Sequence, residues 1–214
     1  MIQPLFLDNH LLIADKPWGM LTQPSGTSLA SLESEAKDYL KARFCKPGAV
    51  FLEAVHRIDR VVGGAVLFAR TSKALSRLNA MQRNGAIRKV YLARVSPPPA
   101  GESGQLVDWL CHDDHRAVVV SPGSPGALEC RLAWRRLAIE DGTALLEIDL
   151  KTGRYHQIRA QLAHAGMPVA GDVKYGAVEM HHVPPGGIGL ISARLEFWHP
   201  VSHDQVCVSS RLQV

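Results

Sequence analysis

Two short stretches of the chain concentrate side chains able to do chemistry. His56-Arg57-Ile58-Asp59-Arg60 sets one carboxylate between two guanidinium groups, with a histidine three residues before it. Nearby positive charge favours the ionised form of a carboxyl group. Arginine also holds a carboxylate through two parallel hydrogen bonds, which fixes its direction. An aimed, ionised Asp59 is suited to act as a nucleophile or base. The same residues suit a plain salt bridge that ties a loop to the body of the domain, because ion-pair networks are common outside active sites. The second stretch, Lys151-Thr152-Gly153-Arg154-Tyr155-His156-Gln157-Ile158-Arg159, gathers His156, Gln157 and Arg159 at the start of an expected helix. A third group, Cys111-His112-Asp113-Asp114-His115, contains metal-binding residue types. Adjacent residues on a strand point to opposite faces, so a polar hairpin is expected there before a metal site.

The elements that must position these groups follow from the apolar pattern. Leu11–Ala14 is a short apolar run, read as a buried strand that ends in a turn at Asp15-Lys16-Pro17-Trp18-Gly19. From Ser28 to Phe44 the spacing of Leu29, Leu32, Ala36, Leu40 and Phe44 predicts a helix, stopped by Lys46-Pro47-Gly48. Ala65–Ala69 reads as a strand, and Ser72 as the cap of a helix running to about Asn84. Strands are expected at 89–95, 118–120, 128–139, 145–150 and 190–197. A short helix should end near Ala165 at Gly166, and a Gly/Pro-rich loop should run from His182 to Gly189. Strands outnumber helices and do not alternate with them, which points to α+β with a mixed, mainly antiparallel sheet. No G-x-G-x-x-G and no phosphate-loop Gly-Lys-Ser/Thr is present, which argues against a doubly wound nucleotide fold.

Composition sets the class. The 214 residues are 46% hydrophobic and 21% charged, ordinary for a globular protein able to build a core without staples. No linker divides the chain, so a single domain over 1–214 is expected. The net charge of +4 permits a phosphate-rich partner without requiring one, and the basic residues between Arg70 and Lys89 offer a candidate surface. Four widely spaced cysteines form no C-x-x-C pair and suit a reducing compartment. The N-terminus lacks a basic region followed by an apolar run, and no segment is apolar enough to span a bilayer. The cytoplasm, no membrane and a monomer are the expectations.

Five motifs in order resemble the RluA-type pseudouridine synthase family. Asp15-Lys16-Pro17 with Gly19 and Pro24-Ser25-Gly26 is similar to its N-K-P-x-G…H-P-S; His56-Arg57-Ile58-Asp59-Arg60…Gly64 to its H-R-L-D-x-x-T-S-G; Lys89-Val90-Tyr91 to its K-x-Y strand. Thr152–Arg159, followed by Gly166-x-Pro168 and Gly171-Asp172-x-x-Tyr175-Gly176, makes a fourth, and Leu195-x-Phe197-x-His199-Pro200 a fifth. The resemblance runs from about residue 11 to residue 200. It implies the pseudouridine synthase fold with helices flanking the sheet and a central catalytic cleft. With the first motif at Asp15, no S4-type RNA-binding domain is expected ahead of it.

The resemblance implies isomerisation of uridine in tRNA or rRNA, with no cofactor and no metal, after the target base has left the RNA stack. Asp59 falls at the family's catalytic aspartate and Tyr91 at its active-site tyrosine. Arg159 falls at the arginine that pairs with that aspartate. Arg57 matches the arginine that fills the space of the flipped base, although simple pairing to Asp59 explains it equally well. Arg60, Lys16, His56, Arg154, His156 and Gln157 complete the expected RNA-binding set, with Lys16 toward phosphate. Three positions depart from the pattern. Val62-Gly63 replaces Thr-Ser, and the lost hydroxyls are expected to loosen the turn that presents Asp59. Gln23 and Gln161 stand where histidine is usual and keep hydrogen-bonding ability without a titratable ring. Two other readings stand beside the enzyme: a non-catalytic RNA-binding protein on a synthase scaffold, and a metal hydrolase built on residues 111–115.

Overall fold

The computed structural model describes residues 2–178, 183 and 185–214. The chain begins with β1 (Pro4–Leu7), β2 (Leu11–Lys16), α1 (Leu32–Arg43), β3 (Glu53–Ala54), β4 (Gly63–Ala69) and α2 (Ser72–Arg83). Next come β5 (Arg88–Val95), β6 (Ser103–Asp113), β7 (Arg116–Val120), β8 (Leu128–Glu140) and β9 (Thr143–Leu150). Finally come α3 (Gln157–His164), a short 3-10 turn (Val173–Tyr175), β10 (Leu190–Trp198) and β11 (Gln205–Ser209). The fold is α+β, as expected. The chain divides into two compact units, Met1–Ile87 with Ile191–Gln213, and Arg88–Leu190 with Val214.

In the first unit β4 is the hub. It pairs antiparallel with β2 and with β3, and parallel with β10 at Gly63 and Gly64. β1 extends the sheet beyond β2, and β11 pairs antiparallel with β10. Leu11 to Ala14 and Ala65 to Ala69 are fully buried on both faces, which is why these strands read as unbroken apolar runs rather than alternating ones. On one face Leu11, Ile13, Leu67 and Ala69 pack with Ala74 and Leu78 of α2 and with Leu195 and Phe197 of β10.

Both helices of this unit begin at a different residue from the one expected. α1 starts after Ser31, whose hydroxyl accepts from the Ser34 amide, so Leu29 lies outside the helix and is exposed. Ser28 has the right chemistry for a cap, but Leu32, Ala36 and Leu40 form the buried stripe and set the start. The cap of α2 is Thr71 rather than Ser72, its hydroxyl accepting from the Ala74 amide.

The second unit is an antiparallel sheet in the order β5-β9-β8-β6-β7. Along β8, Cys130, Leu132 and Trp134 point inward with period two. A bulge between Arg136 and Ala138 then breaks the register and leaves Leu137 exposed. Gly104 faces Trp134 across the β6–β8 ladder, where any Cβ would lie 2.9 Å from the indole. Leu110, Ala117 and Cys130 form a second core with Ala160 of α3 and Tyr175. The expected 182–189 loop falls partly outside the described residues, since His182 and Pro184 are not among them. Among the described residues no helix is long and apolar enough to cross a membrane.

Candidate active site

The first unit carries Lys16, His56, Arg57, Asp59 and Arg60, and it fixes the backbone on both sides of Asp59. Before it, the Thr22 hydroxyl accepts from the Ile58 amide (3.2 Å) and donates to the Ile58 carbonyl (2.9 Å). After it, the Arg60 carbonyl accepts from the Gly19 amide (2.8 Å) and from Lys16 Nζ (3.2 Å). The Val62 amide closes the turn onto the carbonyl of Asp59 itself (3.0 Å). Asp59 is half-buried, while Arg57 and Arg60 beside it are exposed.

Three of the expected site residues take roles the sequence did not assign. Lys16 is fully buried, and its ammonium donates to the carbonyls of Pro17, Met20 and Arg60. Burial lowers its pKa to about 7, against the opposing pull of Asp59. It therefore clamps the loop and does not reach an RNA phosphate. His56 is buried, with Nε2 accepting from the Leu67 amide at 3.2 Å. Its neutral ring must then carry the proton on Nδ1, and it braces the loop onto β4.

The turn presenting Asp59 is not loosened at Val62-Gly63. Val62 is buried, and the turn closes through its backbone amide without help from a hydroxyl. A Cβ at Gly63 would lie 2.8 Å from the Trp18 indole. The large ring contributed by the Lys16-Pro17-Trp18-Gly19 turn thus occupies the space a serine side chain would need. Gly64 has φ +110 and pairs with Ser192, where a Cβ would lie 2.3 Å from the Ser192 carbonyl oxygen, so only glycine fits.

The second unit carries Tyr91, Arg154, His156, Gln157 and Arg159. Tyr91 is buried on β5, opposite Ile148 of β9. α3 begins at Gln157, and its residues from Gln157 to Leu162 are all buried. Gln157 uses its whole amide inside the protein. Its Oε1 accepts from the Thr152 hydroxyl (2.8 Å) and the Arg154 amide (3.0 Å). Its Nε2 donates to the Arg131 carbonyl (3.2 Å) and to Gln161 Oε1 (3.0 Å). With two donors and two acceptances filled, Gln157 holds the 152–157 loop in shape and is not a contact for RNA. Gln161 in turn donates to Asp108 Oδ2 at 2.7 Å. The amide at 161 therefore accepts and donates at the same time.

Arg159 is buried against Asp172, with Nε and Nη2 donating to the two carboxylate oxygens at 2.6 and 2.8 Å. Its guanidinium lies 5.0 Å from the Tyr175 ring. The Tyr175 hydroxyl accepts from the Ala117 amide (2.8 Å) and hydrogen-bonds His156 Nδ1 (2.9 Å). Burial raises the Tyr175 pKa. Asp172 and Thr22 are partners within the candidate site that sequence reasoning passed over. Asp172 stood in the Gly171-Asp172-x-x-Tyr175-Gly176 motif, and that motif was the available signal.

Elsewhere the basic run 70–89 is largely engaged within the fold. Arg70 donates to the Asp8 carbonyl, Arg77 to the Pro200 carbonyl at 2.6 Å, and Arg88 to Asp149 at 3.1 Å. Lys73 and Arg83 are exposed. Cys111, His112 and Asp113 end β6, and Asp114 and His115 form the turn to β7, with Asp114 in the left-handed region at φ 48. Cys111 Sγ points to the Pro125 carbonyl at 3.5 Å. Among the described residues no three His, Cys, Asp or Glu side chains are placed to hold one ion.

Comparison with known proteins bears on this geometry. A family model described as RNA pseudouridylate synthase matches residues 10–164. An uncharacterised RNA pseudouridine synthase of Chloroflexus aurantiacus is 32% identical over 216 residues, covering 93% of this chain and 66% of that protein. The ribosomal large subunit pseudouridine synthase C of Escherichia coli strain K12 is 32% identical over 210 residues, covering 92% of this chain and 62% of its own length. The chain thus spans about two thirds of the length of the curated relatives it matches. Among solved structures, human RNA pseudouridylate synthase domain containing 4 superposes with a TM-score of 0.80 at 19% identity, over 98% of this chain and 88% of that one.

Proposed function

The chain belongs to the RNA pseudouridylate synthase family, and from that premise we propose that it isomerises uridine to pseudouridine in large-subunit ribosomal RNA. The reaction breaks the N1–C1′ bond and joins C5 to C1′; C5 gives up its proton and N1 gains one. Atoms and electrons balance within the nucleoside and solvent, so the step requires no oxidant and no metal. Asp59 is the nucleophile toward the sugar or the base. Tyr91 stacks on the uracil and serves as general base, and Arg159 is the supporting arginine. Arg57 fills the space of the flipped base, whose removal from the stack costs a few kcal/mol. Arg60, Arg154 and His156 contact the RNA, while Lys16, His56 and Gln157 hold the two loops.

One observation carries this reading. The backbone around Asp59 is held by Thr22, Gly19, Lys16 and Val62, and such pre-organisation is what an aimed carboxylate requires. The non-catalytic alternative rested on Val62-Gly63, and the closed turn and the Trp18 indole remove its motive. The same reading takes the chain as a single catalytic domain acting as a monomer in the cytoplasm. The test is tritium release from RNA labelled at uridine C5, with ribosomal and transfer RNA transcripts compared. Wild-type protein should release tritium from ribosomal RNA and Asp59→Asn should not. Release by Asp59→Asn at the wild-type rate would refute the assignment, and release from transfer RNA alone would move the substrate class.

A further inference from the structure

Tyr155 is a large aromatic side chain left 46% exposed, yet it is held firmly. On one side the Arg154 amide is fixed to Gln157 Oε1. On the other, His156 adopts the left-handed region at φ 51, at the start of α3. The Tyr155 ring stacks on His156, with centroids 3.9 Å apart and planes 17° from parallel. His112 approaches it at 4.9 Å, tilted by 53°, and the Tyr155 hydroxyl donates to the His115 carbonyl at 3.4 Å. His156 is anchored by the Tyr175 hydroxyl, and Tyr175 lies beneath Arg159. A continuous row of rings therefore runs from the buried Arg159 to the surface at Tyr155 and His112.

We propose that Tyr155, backed by His156 and flanked by His112, is a stacking platform for an unpaired nucleobase of the substrate RNA outside the target position. The proposal rests on the reading that the substrate is RNA. Unstacked bases in loops and bulges are recognised by stacking on aromatic side chains. A tyrosine already fixed in one orientation loses little freedom when it takes up a base. Charge is not the main attraction. Arg116 and Arg154 are exposed nearby, but Asp113 and Asp114 lie exposed on the same β6–β7 hairpin and offset them. The platform is therefore sequence-tolerant and only weakly dependent on salt, unlike a phosphate clamp.

The test compares wild type, Tyr155→Ala and Tyr155→Phe, full-length and matched by melting temperature, for binding to an unmodified large-subunit ribosomal RNA transcript across a salt series. The alanine variant should bind roughly ten-fold more weakly and the phenylalanine variant within about two-fold of wild type. All three should share one slope of log affinity against log salt, since a lost phosphate contact would flatten it by about one. A second measurement needs no variant: wild-type protein is photo-crosslinked to the transcript carrying 5-iodouridine, and the RNA-bearing peptides are mapped. The peptide containing Tyr155 should be among them. Equal affinity of the alanine variant and wild type, a phenylalanine variant as weak as alanine, or crosslinks that never include residues 152–156 would each overturn the proposal. Failure of the isomerase reading is seen separately, as absence of tritium release by wild type while the binding and crosslinking results stand. Wild-type protein that binds no RNA overturns both.

Discussion

Replacing Thr22 with valine tests whether the frame around Asp59 is what makes it effective. The hydroxyl joins two points 36 residues apart, accepting from the Ile58 amide and donating to its carbonyl, all buried. Valine keeps the shape and opens no cavity, so the change isolates the two hydrogen bonds. It leaves a buried amide and a buried carbonyl without the hydroxyl, at about 1–3 kcal/mol for each group, and a loss of roughly 2–4 kcal/mol is expected after partial relaxation. Thr22→Ser keeps the hydroxyl and removes one methyl, worth about 1 kcal/mol. Stability should therefore fall in the order wild type, serine, valine, measured as urea midpoints at constant slope. The next residue but one to the loosened carbonyl is Arg60, with Asp59 between them. Because an ångström of misplacement costs about a hundred-fold in rate, the valine variant should lose roughly ten- to a hundred-fold in tritium release at saturating RNA. A valine variant as stable and as active as the serine variant would refute the reasoning.

Three further outcomes follow from the same geometry. Lys16 titrates near 7 in the fold and near 10.4 when unfolded, so between those values the unfolded chain binds more protons. Wild type should gain stability over Lys16→Met as pH rises from 7 to 9, by up to roughly 1.4 kcal/mol per pH unit; a pH-independent difference in urea midpoints would refute the assignment. Asp172→Asn leaves the buried Arg159 guanidinium facing an uncharged amide and should destabilise the protein by about 3–5 kcal/mol, read as a fall in melting temperature, whereas a shift under 1 °C would show that the pair is dispensable. Gly63→Ser forces an atom against the Trp18 indole and should cost roughly 1–3 kcal/mol. Adding Trp18→Leu should recover part of that loss, and strict additivity in the double-mutant cycle would refute the packing account.

Much of the fold was legible because the buried strands are continuous apolar runs. Leu11–Ala14 and Ala65–Ala69 could be read directly, and so could the helix stripe at Leu32, Ala36 and Leu40. β1, β3, β6 and β11 were not anticipated. In β6, buried and exposed positions mix polar and apolar types, from Ser103 and Gln105 to Val107, so one face carries no clean apolar signal and the ladder to β8 decides the conformation. Helix starts were misplaced by one to four residues, because Ser28, Ser31, Thr71 and Ser72 are all competent caps and only the packing selects among them. At the site, residue types and spacing pointed to the positions but not to the roles. Lys16 reads as a surface lysine until three carbonyls surround it. Thr22 and Asp172 act on partners 36 and 13 residues away, and no local pattern encodes such pairings.

The parallel pairing of β10 with β4 has a consequence for the order of assembly. Gly64 is seated against Ser192, yet residues 88–190 are made between them. At synthesis rates of about 5–20 residues per second, Gly64 waits roughly 6–26 seconds for the strand it pairs with. The strands of the antiparallel sheet β5-β9-β8-β6-β7 are made in one uninterrupted stretch in the meantime. A released chain truncated after residue 190 should therefore keep the Thr22, Gly19 and Lys16 hydrogen bonds around Asp59 while Gly64 stands without its parallel partner.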